Sequence, residues 1–163
     1  MSSRKRRGES HVWNSYENYL AVHEKCMESL SHYFVESDSL SFVAIPPTNI
    51  LLKGSVYCQG SLVLHVEKTL AVNDLRQVRG IRYRYQAQFS DPPTGEIFRY
   101  DNAHDGYHGH PDAFHKHVFS PLTWRAVFPP EHVGIENWPT LQEVLDELYQ
   151  WWLDHRDNSR IYP

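Results

Sequence analysis

Residues 50–70, ILLKGSVYCQGSLVLHVEKTL, decide the fold class. From Ile50 the pattern has a period of two through Cys58, the pair Gln59-Gly60 interrupts it, and a second run, Ser61–Leu70, is rich in Val and Leu. A period of two sends alternate side chains to opposite faces of a strand, and a glycine-containing pair between two such runs signals a tight turn. The stretch therefore predicts a β-hairpin. Downstream the pattern returns. Residues Ile81–Phe89 alternate Ile, Tyr, Tyr and Ala against Arg, Arg and Gln, Asp91-Pro92-Pro93-Thr94-Gly95 supplies a turn, and Glu96–Asn102 completes a second hairpin.

Outside the hairpins the periodicity is helical. Trp13, Tyr16, Leu20, His23, Met27, Leu30 and Phe34 recur every three or four residues from near His11, which predicts an amphipathic helix. Glu36–Ser41 breaks that stripe and reads as a linker, and Pro46-Pro47 argues against a central strand there. Trp124–Phe128 reads as a further strand that Pro129-Pro130 should end. Thr140-Leu141-Gln142-Glu143 has the spacing of a capping box, and Leu141, Val144, Leu145, Leu148, Trp151 and Trp152 follow it at helical intervals, predicting a C-terminal helix to about His155. Strands between two helices, without βαβ alternation, predict an α+β domain. The expected architecture is an antiparallel β-sheet of about four to five strands with an N-terminal and a C-terminal helix packed on it.

The 163 residues suit a single domain, expected to span 11–163 behind a basic flexible tail at 1–10. Hydrophobic residues make up 40% of the chain, enough to bury a core and to exclude wholesale disorder. No apolar stretch is long enough to cross a bilayer, and the start, MSSRKRR, lacks a secretory signal's apolar run, so a cytoplasmic protein with no membrane partner is expected. Cys26 and Cys58 show no CxxC spacing and read as reduced structural residues. Arg4, Lys5, Arg6 and Arg7 hold four of the sixteen Lys and Arg residues, leaving twelve basic against twenty acidic residues in the remainder. That balance argues against a protein gripping long nucleic acid over its whole surface, and leaves room for a local basic pocket.

Histidine directs the search for chemistry. Five of the eleven fall within 104–117: His104, His108, His110, His115 and His117. On a strand, Arg99 and Asp101 share one face, as an ion pair or as a guanidinium and carboxylate of a site, while Phe98, Tyr100 and Asn102 take the other. If extended, His115 and His117 also share a face, roughly 7 Å apart by twice the strand rise, with room for a phosphate between the rings and Lys116 facing away. Pro111 keeps a helical alternative open for this segment.

Two chemistries suit the cluster. In the first, one imidazole takes a proton from a ribose 2′-hydroxyl, the other protonates the leaving 5′-oxygen, and Arg99 or Lys116 offsets charge on the phosphorane, with neither metal nor cofactor. In the second, His104, His115, His117 and Asp101 hold a divalent metal that activates water, although the spacings match no familiar metal signature. A purely structural cluster is the third reading. As catalytic groups the histidines are expected to be exposed and to contribute little packing. The candidate catalytic residues are therefore His115, His117, Arg99, Asp101, Lys116 and His104. Candidate substrate-binding residues are Arg82 and Arg84, which alternate with Tyr83 and Tyr85 as if to hold a phosphate and stack a base, together with Tyr100 and Asn102. An ordinary amphipathic strand explains the Arg-Tyr alternation equally well. Glu67 reads as a solvated strand carboxylate, and Trp151-Trp152 as straddling core and surface, where an exposed half could serve a partner or a homodimer.

Residues 98–104, FRYDNAH, and 114–117, FHKH, resemble the signature of the TumE-type toxins of bacterial toxin–antitoxin modules, in which FRYDN on a strand precedes a short H-K-H string. The hairpins from about Leu51 through GSVYCQGSLVLHVE to Tyr85 are also similar, so the resemblance spans roughly residues 50–120. It implies a small toxin-like protein acting on RNA and paired with an antitoxin protein. Three functions follow as expectations: a phosphodiesterase of the ribonuclease type; an enzyme opening small cyclic oligonucleotide messengers in an antiviral defence locus; and a non-catalytic nucleotide- or partner-binding module.

Overall fold

The computed structural model describes residues 11–91, 95–102 and 114–162. The expected tail, the Pro-Pro-Thr turn centre and His104, His108 and His110 lie outside them. In chain order the elements are β1 (Val12–Trp13), α1 (Tyr16–Ser31), β2 (Val35–Asp38), β3 (Ser41–Ile45), β4 (Asn49–Cys58), β5 (Leu62–Val72), β6 (Val78–Phe89), β7 (Glu96–Asp101), β8 (His115–Phe119), β9 (Ala126–His132), a single 3-10 turn (Ile135–Asn137) and α2 (Leu141–His155). Every strand pairing is antiparallel. The order across the sheet is β2-β4-β5-β6-β7-β8-β9, with β3 also on β4 and β1 on β6. The α+β class and the two helices agree with the sequence. The expected four to five strands undercount the nine among the described residues.

The extra strands lie where proline and polar residues argue against them. The expected linker at 36–41 contains part of β2 and the start of β3, and Pro46-Pro47 occupies the turn into β4. β9 runs through Pro129-Pro130 where a strand end is expected. Both regions lie on sheet edges, where a missing N–H costs no ladder bond. At the N-terminus, β1 replaces the expected first helical turn, because Ser15 caps α1 by accepting from the Asn18 N–H at 3.0 Å. The capping box of α2 forms as the sequence spells it: Thr140 Oγ1 accepts from Glu143 N–H at 3.3 Å, and Glu143 Oε2 accepts from Thr140 N–H at 2.8 Å.

Both helices pack on one face of the sheet. Cys26 and Leu30 of α1 and Val144, Leu145 and Leu148 of α2 join Leu52, Val56, Leu64, Val66, Tyr85 and Phe98 in one buried cluster. Cys26 and Cys58 are buried there as thiols outside any disulfide, and burial pushes the Cys58 thiol up to about 12. The half-buried Trp152 packs on Phe34 and Tyr149, while Trp151 stacks on His155 at 4.3 Å.

Candidate functional site

Register builds the site. One row of directly opposed residues runs Glu67, Arg84, Asp101, His115 from β5 to β8, and the next runs His65, Gln86, Arg99, His117. Opposed residues in antiparallel strands project to the same side, so each row crosses the sheet on one face. The intervening Val66, Tyr85 and Tyr100 point into the helix-covered core, which commits both polar rows to the other face. Ser55 and Lys53 of β4 extend the rows at one end, opposite His65 and Glu67, and His132 of β9 stands opposite His115 at the other.

Exposure falls along the rows. Arg84 and His65 are exposed, whereas Asp101 is 7% exposed, His117 7% and His115 1%. The two imidazoles meet edge to face with ring centroids 4.9 Å apart. This departs from the sequence reading in two ways: the histidines are buried, and the rings leave no space between them for a phosphate.

Arg99 donates from Nη1 to Glu96 Oε1 at 3.0 Å, a carboxylate the sequence reading does not single out. Burial raises the Glu96 pKa, against the opposing pull of the Arg99 and Arg84 guanidiniums. Arg84 Nη2 donates to Gln86 Oε1 at 3.2 Å, and Gln86 Nε2 donates to Gln88 Oε1 at 3.1 Å, a chain that orients Arg84 along the sheet.

Lys116 and Tyr100 lie on the opposite face, a consequence of strand alternation. There Glu147 of α2 accepts from the Tyr100 hydroxyl at 2.6 Å and from Lys116 Nζ in a close ion pair. Burial, then the Glu147 charge, raises the Tyr100 phenol pKa, which keeps it a donor. Asn102 is bound to the β6 backbone: its Oδ1 accepts from Tyr83 N–H at 2.7 Å and its Nδ2 donates to the Ile81 carbonyl at 3.3 Å. Arg82, opposite Thr69, is exposed on the same side as Arg84. The structure thus brings together Arg84, Arg99, Asp101, His115 and His117 of the sequence candidates, and directs Lys116, Tyr100 and Asn102 into the fold. His104 lies outside the described residues. Among those residues, no three His, Cys, Asp or Glu side chains are grouped to hold a metal ion.

The sequence reading misses Ser55, His65 and Gln86. Ser55 Oγ and His65 Nδ1 are 2.8 Å apart. Alternation of His65 and Glu67 with Leu64 and Val66 is the signal that could have found the pair, but it requires the correct hairpin register. The loop holds three residues, Gln59, Gly60 and Ser61, with Gly60 at φ 72° and Ser61 at φ 56°, instead of the expected two. Cys58 is therefore opposite Leu62, and Ser55 is opposite His65.

A family model described as Toxin TumE matches residues 23–152, most of the chain and both rows of the polar face. No curated protein and no solved structure matches the chain.

Proposed function

The chain belongs to the TumE toxin family, and from that premise we propose that it is a toxin that cleaves RNA, with the β7–β8 part of the polar face as its active site. The observation carrying this reading is the β7–β8 register, which sets Arg99 opposite His117 and Asp101 opposite His115 on the side away from both helices. A pair of imidazoles can supply an acid and a base for the two proton transfers of phosphodiester cleavage. In this reading a phosphate lies across the imidazole pair, one ring taking the 2′-hydroxyl proton and the other protonating the departing 5′-oxygen. Arg99, held by Glu96, offsets the charge that develops on phosphorus, and Asp101 orients His115. An antitoxin is the partner that would cover this face.

Incubating purified protein with labelled RNA, with and without EDTA, tests the proposal. Cleavage is expected to persist under chelation, to leave a 2′,3′-cyclic phosphate and to fail on a 2′-deoxy linkage, because the nucleophile is the substrate's own hydroxyl. EDTA-sensitive cutting of the deoxy substrate would instead favour metal-activated water. Cyclic oligoadenylates belong in the same assay, since the same chemistry opens them. The near-complete burial of His115 favours a second reading, in which the face binds a nucleotide through Arg84 without cutting it; stoichiometric RNA binding with no product would select it.

A further inference from the structure

The polar rows do not end at the histidines and arginines of the proposed active face. They continue onto β4 and β5, where Lys53, Ser55, His65, Glu67, Arg84 and Gln86 frame a cavity of about 230 Å³. We infer that this cavity is a second phosphate-binding subsite, and that the substrate is a single RNA strand of several nucleotides lying across the strands of the sheet. The inference rests on the RNA-cleavage reading above and names the part of the substrate that reading leaves open.

Distance supports it first. His117, Arg99, Gln86 and His65 are successive members of one row, and three inter-strand steps of about 4.8 Å place His65 some 14 Å from His117. That exceeds the reach of one nucleotide and lies within the reach of two or three in an extended chain, so a strand cut at His117 would pass over the cavity.

Donor chemistry supports it next. Arg84 gives one N–H to Gln86 and keeps the rest of its fork, while Lys53 is 65% exposed and only loosely paired with Glu67 at 3.7 Å. Burial, and then the Arg84 charge, lowers the His65 pKa, so the ring is neutral at pH 7. In the tautomer whose Nδ1 accepts from the Ser55 hydroxyl, 2.8 Å away, Nε2 carries the proton and is a third donor beside the lysine and the arginine. A guanidinium, an ammonium and an imidazole N–H around one recess suit a phosphodiester. Gly54 lines the recess at φ 151°, where a Cβ would meet the Ser39 carbonyl oxygen at 2.5 Å. A side chain at this position would push the β2–β3 connection away from β4.

The test is fluorescence anisotropy with labelled 2′-O-methyl RNA, which lacks the nucleophilic hydroxyl, in a length series from a dinucleotide upward. Wild-type affinity is expected to rise with length until the strand spans both subsites. Lys53→Ala and His65→Ala should each weaken the long strand by about tenfold, the size of one charge-assisted contact, and leave dinucleotide binding and dinucleotide cleavage unchanged. Lys53→Ala should also reduce the salt slope for the long strand by about 1. His65→Gln and Ser55→Ala, which perturb the surface less, should weaken the long strand in the same direction and keep the wild-type circular dichroism. Length-independent wild-type binding, or long-strand affinity indifferent to Lys53 and His65, would overturn the subsite even if RNA is cut. Length-dependent binding lost in the variants, with no cleavage by wild type, would overturn the cleavage reading and support the subsite.

Discussion

On one face of the sheet Tyr85, Phe98 and Tyr100 lie packed beneath α1 and α2; on the other, one residue away in the same strands, stand Arg84, Arg99 and Asp101. The few polar groups beneath the helices are bound into the fold. Lys116 and Tyr100 share Glu147, and the buried Lys68 ammonium lies 4.6 Å from the Trp13 ring centroid and 4.9 Å from that of Tyr19. On the far face the polar groups form continuous rows from Ser55 to His117 that neither helix covers. The contrast separates polarity that holds the structure together from polarity arranged over a surface. It teaches that residue type alone assigns no role here, since Lys116 and His117 are neighbours in sequence with different neighbourhoods.

Substitutions can break or sharpen this contrast. The largest effect is expected from His115→Ala, which should lower the RNA cleavage rate by about 10²–10⁴-fold, the usual contribution of a positioned acid or base. Because His115 is buried, the same variant should also lose about 1–3 kcal/mol of stability in urea titration. A wild-type rate would remove His115 from the mechanism. Leu148→Ala tests the other face: truncating a fully buried leucine should cost about 2–5 kcal/mol and leave the rate per folded molecule unchanged. Arg99→Lys should reduce the rate by about tenfold, because an ammonium lacks the planar fork that grips Glu96 while facing the phosphate. Unchanged turnover would leave Arg99 as Glu96's structural partner.

The smallest effect is a pH dependence of stability arising on the helix side. Burial, reinforced by the Lys68 charge, lowers the pKa of His11 from its ordinary 6.5, against a hydrogen bond to the Trp138 carbonyl and the Glu143 charge. Burial likewise lowers His23, between Asp38, which opposes the shift, and Lys68, which adds to it. Below pH 6.5 the unfolded chain therefore binds protons that the folded chain does not. Stability from these two histidines is present above 6.5 and is lost as pH falls through their lowered folded values. Urea midpoints should fall between pH 7 and pH 5, and less so in a His11→Gln, His23→Gln double variant; an identical fall in both proteins would place the acid sensitivity elsewhere.

What the sequence disclosed follows from how local each signal is. The two hairpins, the α2 capping box and the placement of Arg99 and Asp101 on one face depend on alternation or spacing within a few residues, and all are legible. The FRYDNAH and FHKH strings are similarly local and lead to the family that the match over residues 23–152 shows. The edge strand β2, VESD, is hidden because it holds a single apolar residue, and β3, SFVAI, because Pro46-Pro47 follows it directly, a penalty that vanishes at an edge. Ser55 and His65 were hidden by one residue of turn length. The burial of His115 and His117 belongs to the assembled fold, and alternation within β8 does not encode it.

If RNA is cut on the face away from the helices, two adjacent residues of β8 should respond to substitution in opposite ways. Single-turnover cleavage of a labelled RNA by Lys116→Gln and His117→Gln, together with the urea midpoint of each variant, tests it most directly. The two residues are adjacent, and β8 directs one to Glu147 and the other to Arg99's side of the sheet. The account predicts that His117→Gln loses about a hundredfold or more in rate, whereas Lys116→Gln keeps its rate within a few-fold and unfolds at lower urea. Loss of cleavage in Lys116→Gln beside a wild-type rate in His117→Gln would contradict it.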